Sequence, residues 1–147
     1  MFKNILCAVD GSEHALKAAE LAADLAKQYG ASLTFLTVSK ELKMTPEVKR
    51  FMQIEHLTGS PQYVLDEMTD RVLADAKAAA KARGLTGVKS EVKTGNPARA
   101  IVAYADRTKA DAIVMGGRGL GDIGGALLGS VSHKVSSLSK CTCITVK

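Results

Sequence analysis

Ala112-Ile113-Val114-Met115-Gly116-Gly117-Arg118-Gly119-Leu120-Gly121-Asp122-Ile123-Gly124-Gly125-Ala126-Leu127-Leu128-Gly129-Ser130-Val131-Ser132 is the stretch whose reading decides the fold. Four consecutive apolar residues, Ala112 to Met115, suit a strand buried on both faces, which is the condition inside a parallel sheet. They empty into a loop holding seven of the chain's thirteen glycines. Directly beyond Gly129-Ser130 a short helix over Val131 to Leu138 is expected. Glycines permit positive φ and close backbone approach, so consecutive N–H groups can converge on an anion. The free N–H groups and positive dipole end of the following helix would add to that pull, with the Ser130 hydroxyl and Arg118 as side-chain donors.

The same alternation extends outward in both directions. Ile5 to Val9 is another continuous apolar run, followed by Asp10-Gly11-Ser12 and an amphipathic helix capped by Ser12 and stopped by Gly30. Its apolar positions are Leu16, Ala18, Leu21, Ala22 and Leu25. Ser32 to Val38 is rich in β-formers. A long Ala- and Lys-rich helix should start at Ser60-Pro61 and end at Gly84, with Val88 to Val92 as a strand at the sheet edge. Gly95-Asn96-Pro97 opens a helix to about Lys109, and Cys143 to Val146 is the last strand. Residues 39–60, with Pro46, Gly59 and a helical turn around Val48 to Ile54, fit no firm pattern. Five strands alternating with helices call for an open parallel sheet covered on both faces, in one domain spanning 1–147. Such sheets bind ligands at the carboxyl ends of their strands, so the loops holding Asp10, Val38 and Gly116 onward are the places to look.

Composition narrows the function. With 46% hydrophobic and 24% charged residues, the 147-residue chain can bury a core unaided. No signal peptide or membrane-spanning stretch is evident, so a cytoplasmic location without membrane insertion is expected. Cys7, Cys141 and Cys143 suit unpaired thiols in a reducing compartment. The net charge of +5 is interleaved with acids along helices, and with no Trp and 4% aromatics nucleic-acid binding is not expected.

Two simple expressions fit the glycine loop poorly. Gly119-x-Gly121-x-x-Gly124 matches a dinucleotide fingerprint, but it lies after the fourth strand and has no acid near Ile144. Gly124-x4-Gly129-Ser130 lacks the lysine of a Walker A loop, so hydrolysis of that type is not expected.

Gly116-x2-Gly119-x9-Gly129-Ser130, following Ile113-Val114-Met115, resembles the ATP-binding signature of the universal stress protein family. Ile5 to Glu13, Gly95-Asn96-Pro97-Ala98 and Ala110 to Gly116 are similar to that family as well, so the resemblance covers essentially the whole chain. It implies a Rossmann-like, adenine nucleotide alpha hydrolase-like sheet in the strand order 3-2-1-4-5. It also implies ATP, often with Mg2+, held between the first and fourth strands. The family's adenosine contacts carry onto Asp10, with Ala8 beside it, and onto Val38. Met115 and Gly116 begin the cradle, and Gly119, Gly129, Ser130 and Val131 line the phosphates. The resemblance implies a homodimer through the C-terminal strand, with higher oligomers open, and a stress-response role that in some relatives lies beside a membrane transporter. One departure stands out: Thr142 follows Cys141 where the family usually has proline, which restores an N–H and bears on the dimer edge.

Other constellations give less. A phosphoacceptor role for Asp10 would need a second aspartate after the third strand and a lysine after the fifth, and Thr94-Gly95 supplies no aspartate. His14, His56 and His133 have no metal-ligand spacing. Ser132, Ser136, Ser137 and Ser139 suit either phosphorylation or a polar helix face. No catalytic triad is present and no catalytic residue is assigned, so a regulatory ATP-binding module is expected ahead of a slow ATPase or adenylyl-transferring enzyme. For the latter, Asp122 and His133 are the nearest candidates.

Overall fold

A computed structural model describes residues 1–39, 45–54, 61–120 and 128–147. Along the chain run β1 (Asn4–Ala8), α1 (Glu13–Tyr29), β2 (Ser32–Ser39), α2 (Pro46–Ile54), α3 (Pro61–Ala82), β3 (Lys89–Thr94), α4 (Pro97–Thr108), β4 (Ala112–Gly116), α5 (Ser130–Leu138) and β5 (Thr142–Val146). The strands form one sheet in the order β3-β2-β1-β4-β5, with every pairing parallel. Both the strand order and the parallel pairing match the expectation. The expected strand Val88 to Val92 starts one residue and ends two residues before β3, which runs from Lys89 to Thr94, opposite Ser39.

The continuous apolar runs follow from burial on both faces. Ile5, Cys7 and Val9 face one core with Phe35 and Val114, closed by α1 and α3. Leu6 faces the other with Leu36, Ile113 and Met115, closed by α4 and α5. The edge strand β3 is mostly exposed and carries Lys89, Glu91 and Lys93, charges that discourage pairing with another sheet edge.

Of the five expected apolar positions of α1, Ala18 and Ala22 are buried, Leu21 and Leu25 flank the core and Leu16 turns outward, 44% exposed. The buried stripe is Ala15, Ala18, Ala19, Ala22, Ala23 and Ala26. Alanines let the helix axis come close to the sheet and to α3, and that proximity pushes the larger side chains to the flanks. The termini behave as expected from local chemistry. The Ser12 hydroxyl accepts from the Ala15 N–H at 3.2 Å, Gly30 closes α1 in the left-handed region, and the Asn96 side chain accepts from Arg99 N–H at 3.1 Å ahead of Pro97. The expected N-cap Ser60 lies outside the described residues.

Thr142 resolves the departure at the last strand. Its N–H donates to the Asp111 carbonyl at 3.3 Å, and so faces β4 rather than the outer edge. The outer-edge amides are then those of Cys143 and Thr145, which a proline at position 142 would leave in place. Among the described residues no helix is long and apolar enough to cross a membrane.

Candidate functional site

A cavity of about 460 Å³ opens at the carboxyl ends of β1, β2 and β4, where the strand order reverses and open α/β sheets bind their ligands. On the side of α1, its wall is a stripe of α3, Leu65, Met68, Thr69 and Val72. On the opposite side it is bounded by Pro97 and Ile101 of α4 and by the start of α5. The size is that of a small-molecule or cofactor pocket, and the lining is mostly apolar with a few polar groups converging at one end.

That polar end is built from the two arms of the glycine loop. At Gly116 the chain passes so close to α1 that a Cβ would lie 2.8 Å from the Ala15 nitrogen and 2.8 Å from the His14 Cβ, so only glycine fits. The neck of the loop is tied by three contacts. Gly117 N–H donates to the Val146 carbonyl at 2.7 Å, Gly129 N–H donates to the Gly117 carbonyl at 2.6 Å, and the buried Ser132 hydroxyl reaches the carbonyls of Gly117 (2.9 Å) and Gly129 (3.1 Å). Ser132 therefore belongs to the neck, not to a solvated helix face open to modification.

Helix α5 starts from Gly129, which offers no side-chain cap. The first-turn amides of a helix have no partner within it, and its dipole makes that end positive. Ser130, Val131 and Ser132 bring this end to the cavity wall.

The near arm is held by the turn after β1. Gly11 takes a left-handed conformation at φ 85°, and the Asp10 Oδ1 accepts the Ser12 N–H at 2.9 Å. The other carboxylate oxygen, Oδ2, accepts the Leu120 N–H at 3.3 Å, and the Ser12 hydroxyl donates to the Arg118 carbonyl at 3.4 Å. Leu120, Gly117 and Gly129 thus spend their amides within the protein. Among the described residues, the anion-attracting amides are those of the first turn of α5.

Of the residues singled out from sequence, Ala8, Asp10, Val38, Met115, Gly116, Arg118, Gly119, Ser130 and Val131 all line the cavity. Gly129 is buried at the neck instead, outside the lining. Gly121, Asp122, Gly124 and Gly125 lie outside the described residues, as does His56. His133 is exposed on α5 and does not line the cavity. His14 stands behind Gly116, and its buried Nδ1 has no hydrogen-bond partner. The α3 wall was missed, although positions 65, 68, 69 and 72 carry the i, i+3, i+4, i+7 spacing of a one-sided helix. Among the described residues no three His, Cys, Asp or Glu side chains gather to hold a metal.

Among the described residues, the ionisable groups displaced from their ordinary values lie away from the cavity. Two short N–H bonds, from Asn4 (2.7 Å) and Lys3 (2.6 Å), hold the Asp111 carboxyl below the usual range at the amino ends of the strands. Burial pushes the Cys7 thiol far up in the core, and on β3's flank burial, then the Glu91 charge, raises Tyr104 against the lowering pull of Arg107.

The fold and crevice together define a doubly wound parallel α/β protein with a cofactor-sized pocket at its switch point. The family model described as the universal stress protein family matches residues 1–147, and the chain belongs to that family. It is 39% identical over 151 residues to the universal stress protein in the QAH/OAS sulfhydrylase 3' region of Thermus aquaticus, covering 100% of both chains. It is 32% identical over 154 residues to universal stress protein YxiE of Bacillus subtilis, again covering 100% of both. Among solved structures, a universal stress protein in complex with cAMP superposes with a TM-score of 0.71 at 30% identity, covering 99% of this chain and 97% of that one.

Proposed function

We propose that this universal stress protein binds ATP in the cavity above β1, β2 and β4 and works as a nucleotide-dependent regulatory module. The observation that carries the proposal is the uncapped N-terminus of α5 at one end of a pocket whose remaining walls are largely apolar. Adenosine would lie against Ala8, Val38 and Met115, near Asp10. The phosphates would extend past Gly116, Arg118 and Gly119 to the amides of Ser130 and Val131, where a negative charge gains from the helix dipole. A universal stress protein 30% identical to this one is known in complex with cAMP, which supports adenine nucleotides as the ligand class. The choice of a triphosphate rests on the α5 terminus.

Mg2+ fits only as a companion of the nucleotide. With no acidic cluster among the described residues, the ion would be held by phosphate oxygens and water, as Mg2+ commonly is. Binding is favoured over turnover, because Asp10 is the one described carboxylate on the cavity wall and both of its oxygens already accept backbone N–H groups. A regulatory module needs two states with different nucleotide affinity, and a second copy is the first partner to consider. Pairing through β5 is supported by the contrast between the two sheet edges: β3 is guarded by lysines, whereas β5 reads Thr142-Cys143-Ile144-Thr145-Val146 without a charge. A membrane transporter is a further partner class for the nucleotide-loaded dimer.

Protein purified without added nucleotide is denatured and the released small molecules are chromatographed; ATP is expected. Ser130→Asp places a carboxylate at the first position of α5, where it helps the helix but repels a triphosphate. The variant should keep its melting temperature and lose ATP affinity by at least about tenfold. Unchanged affinity in that variant would refute the phosphate placement. Tighter binding of cAMP than of ATP would confine the site to monophosphates, and sustained phosphate release would make the protein an ATPase.

A further inference from the structure

The turn Asp10-Gly11-Ser12 does more than start α1. Four hydrogen bonds meet there: Ser12 N–H to Asp10 Oδ1 (2.9 Å), Ala15 N–H to Ser12 Oγ (3.2 Å), Leu120 N–H to Asp10 Oδ2 (3.3 Å), and Ser12 Oγ–H to the Arg118 carbonyl (3.4 Å). The first two shape the turn and cap the helix, as side chains of these types do after many strands. The second two reach across more than a hundred residues of sequence to the near arm of the glycine loop. Gly11 allows this geometry through its left-handed φ of 85°, and a Cβ there would press to 3.1 Å from Val72 on α3. Two residues before Arg118, Gly116 is already seated against the first turn of α1.

We infer that Asp10 and Ser12 are positioning residues: they form a clasp that fixes the near arm of the glycine loop against α1 and so holds the mouth of the pocket in shape before a nucleotide arrives. This deepens the nucleotide-binding proposal and rests on it for its functional half. The chemistry suits Asp10 to the clasp, alongside any contact its remaining lone pairs make to the nucleoside. Each oxygen of Asp10 accepts an amide proton, and charge-assisted bonds of that kind are the stronger sort.

Asp10→Asn separates the two duties. Asparagine keeps one carbonyl oxygen for the Ser12 N–H but turns an NH2 group toward the Leu120 N–H, setting donor against donor. The helix entry survives and the clasp opens. Ser12→Asp acts from the other side, keeping the N-cap while removing the proton given to the Arg118 carbonyl. Hydrogen exchange of the Leu120 amide, read in nucleotide-free protein, should accelerate about tenfold in each variant, and ATP should dissociate faster by a similar factor, with melting temperatures near that of the wild type. A Leu120 amide that exchanges at the wild-type rate in both variants overturns the clasp. If ATP binding is lost at the same time, Asp10 contacts the nucleotide directly. Accelerated exchange in a protein that binds no ATP at all supports the clasp and instead removes the nucleotide reading.

Discussion

Replacing Gly116 by alanine tests the close approach of β4 to α1. The added Cβ would sit 2.8 Å from the Ala15 nitrogen, 2.8 Å from the His14 Cβ and 2.9 Å from the His14 carbonyl carbon. Two of those three neighbours are backbone atoms in the first turn of α1, so no rotamer change relieves the contact. Either the end of β4 or the start of α1 must move. Forcing an extra carbon into a packed site costs roughly 1–3 kcal/mol. For a chain of this length each kcal/mol lowers the melting temperature by about 2–4 °C, giving a fall of roughly 2–12 °C. Gly117 provides the neighbouring control, because a Cβ there meets nothing nearer than the Val146 carbonyl oxygen at 3.4 Å. Thermal melts of Gly116→Ala and Gly117→Ala, followed by circular dichroism, should therefore separate clearly. Equal melting temperatures for Gly116→Ala and wild type would refute the claim that α1 and β4 meet without room for a side chain.

Asp111→Ala should lower the melting temperature at neutral pH by freeing the Lys3 and Asn4 N–H groups. Since the folded carboxyl titrates below its ordinary value of 3.8, its contribution is complete above that value and fades as pH falls through the lower folded one; the gap between variant and wild type should close in strong acid. A gap that stays constant across a pH series of melts would argue against this linkage. A thiol reagent applied to native protein should modify the half-buried Cys141 and Cys143 ahead of Cys7, which is 0% exposed and whose thiol is pushed up by burial. Peptide mass spectrometry reads the order directly, and early labelling of Cys7 would contradict its place in the core.

Much of the architecture was legible because single residues dictated it. Ile5–Val9 and Ala112–Met115 could be buried on both faces only inside a parallel sheet, and Ser12, Gly30 and Asn96 marked helix ends through chemistry that acts over three residues. Ala18 and Ala22 are buried in α1 as expected, but Leu16 faces outward and Ala15, Ala19, Ala23 and Ala26 complete the stripe, because a close approach of helix to sheet favours alanine. A nine-residue helix, α2, was foreseen only as a turn around Val48 to Ile54; Pro46, taken as a loop marker, instead occupies its first position, where proline's missing N–H costs nothing. The α3 wall escaped notice because a one-sided stripe looks the same whether it faces a core or a cavity.

The site shows a sharper limit. Nine of the ten residues singled out in sequence do line one cavity, because loops leaving adjacent parallel strands part to opposite faces where the strand order reverses and open a crevice between them. What each side chain does there depends on atoms far away along the chain. Asp10 stands 110 residues from Leu120, and nothing local distinguishes a carboxylate that will face a ligand from one that will hold a loop. The deciding fact is geometric: with Gly116 pressed on α1, the next residues of the loop pass within reach of the Asp10-Gly11-Ser12 turn. The glycine that fits the crossing therefore also delivers the loop to its clasp, which is why perturbing Gly116 should loosen Leu120 as well as lower the melting temperature.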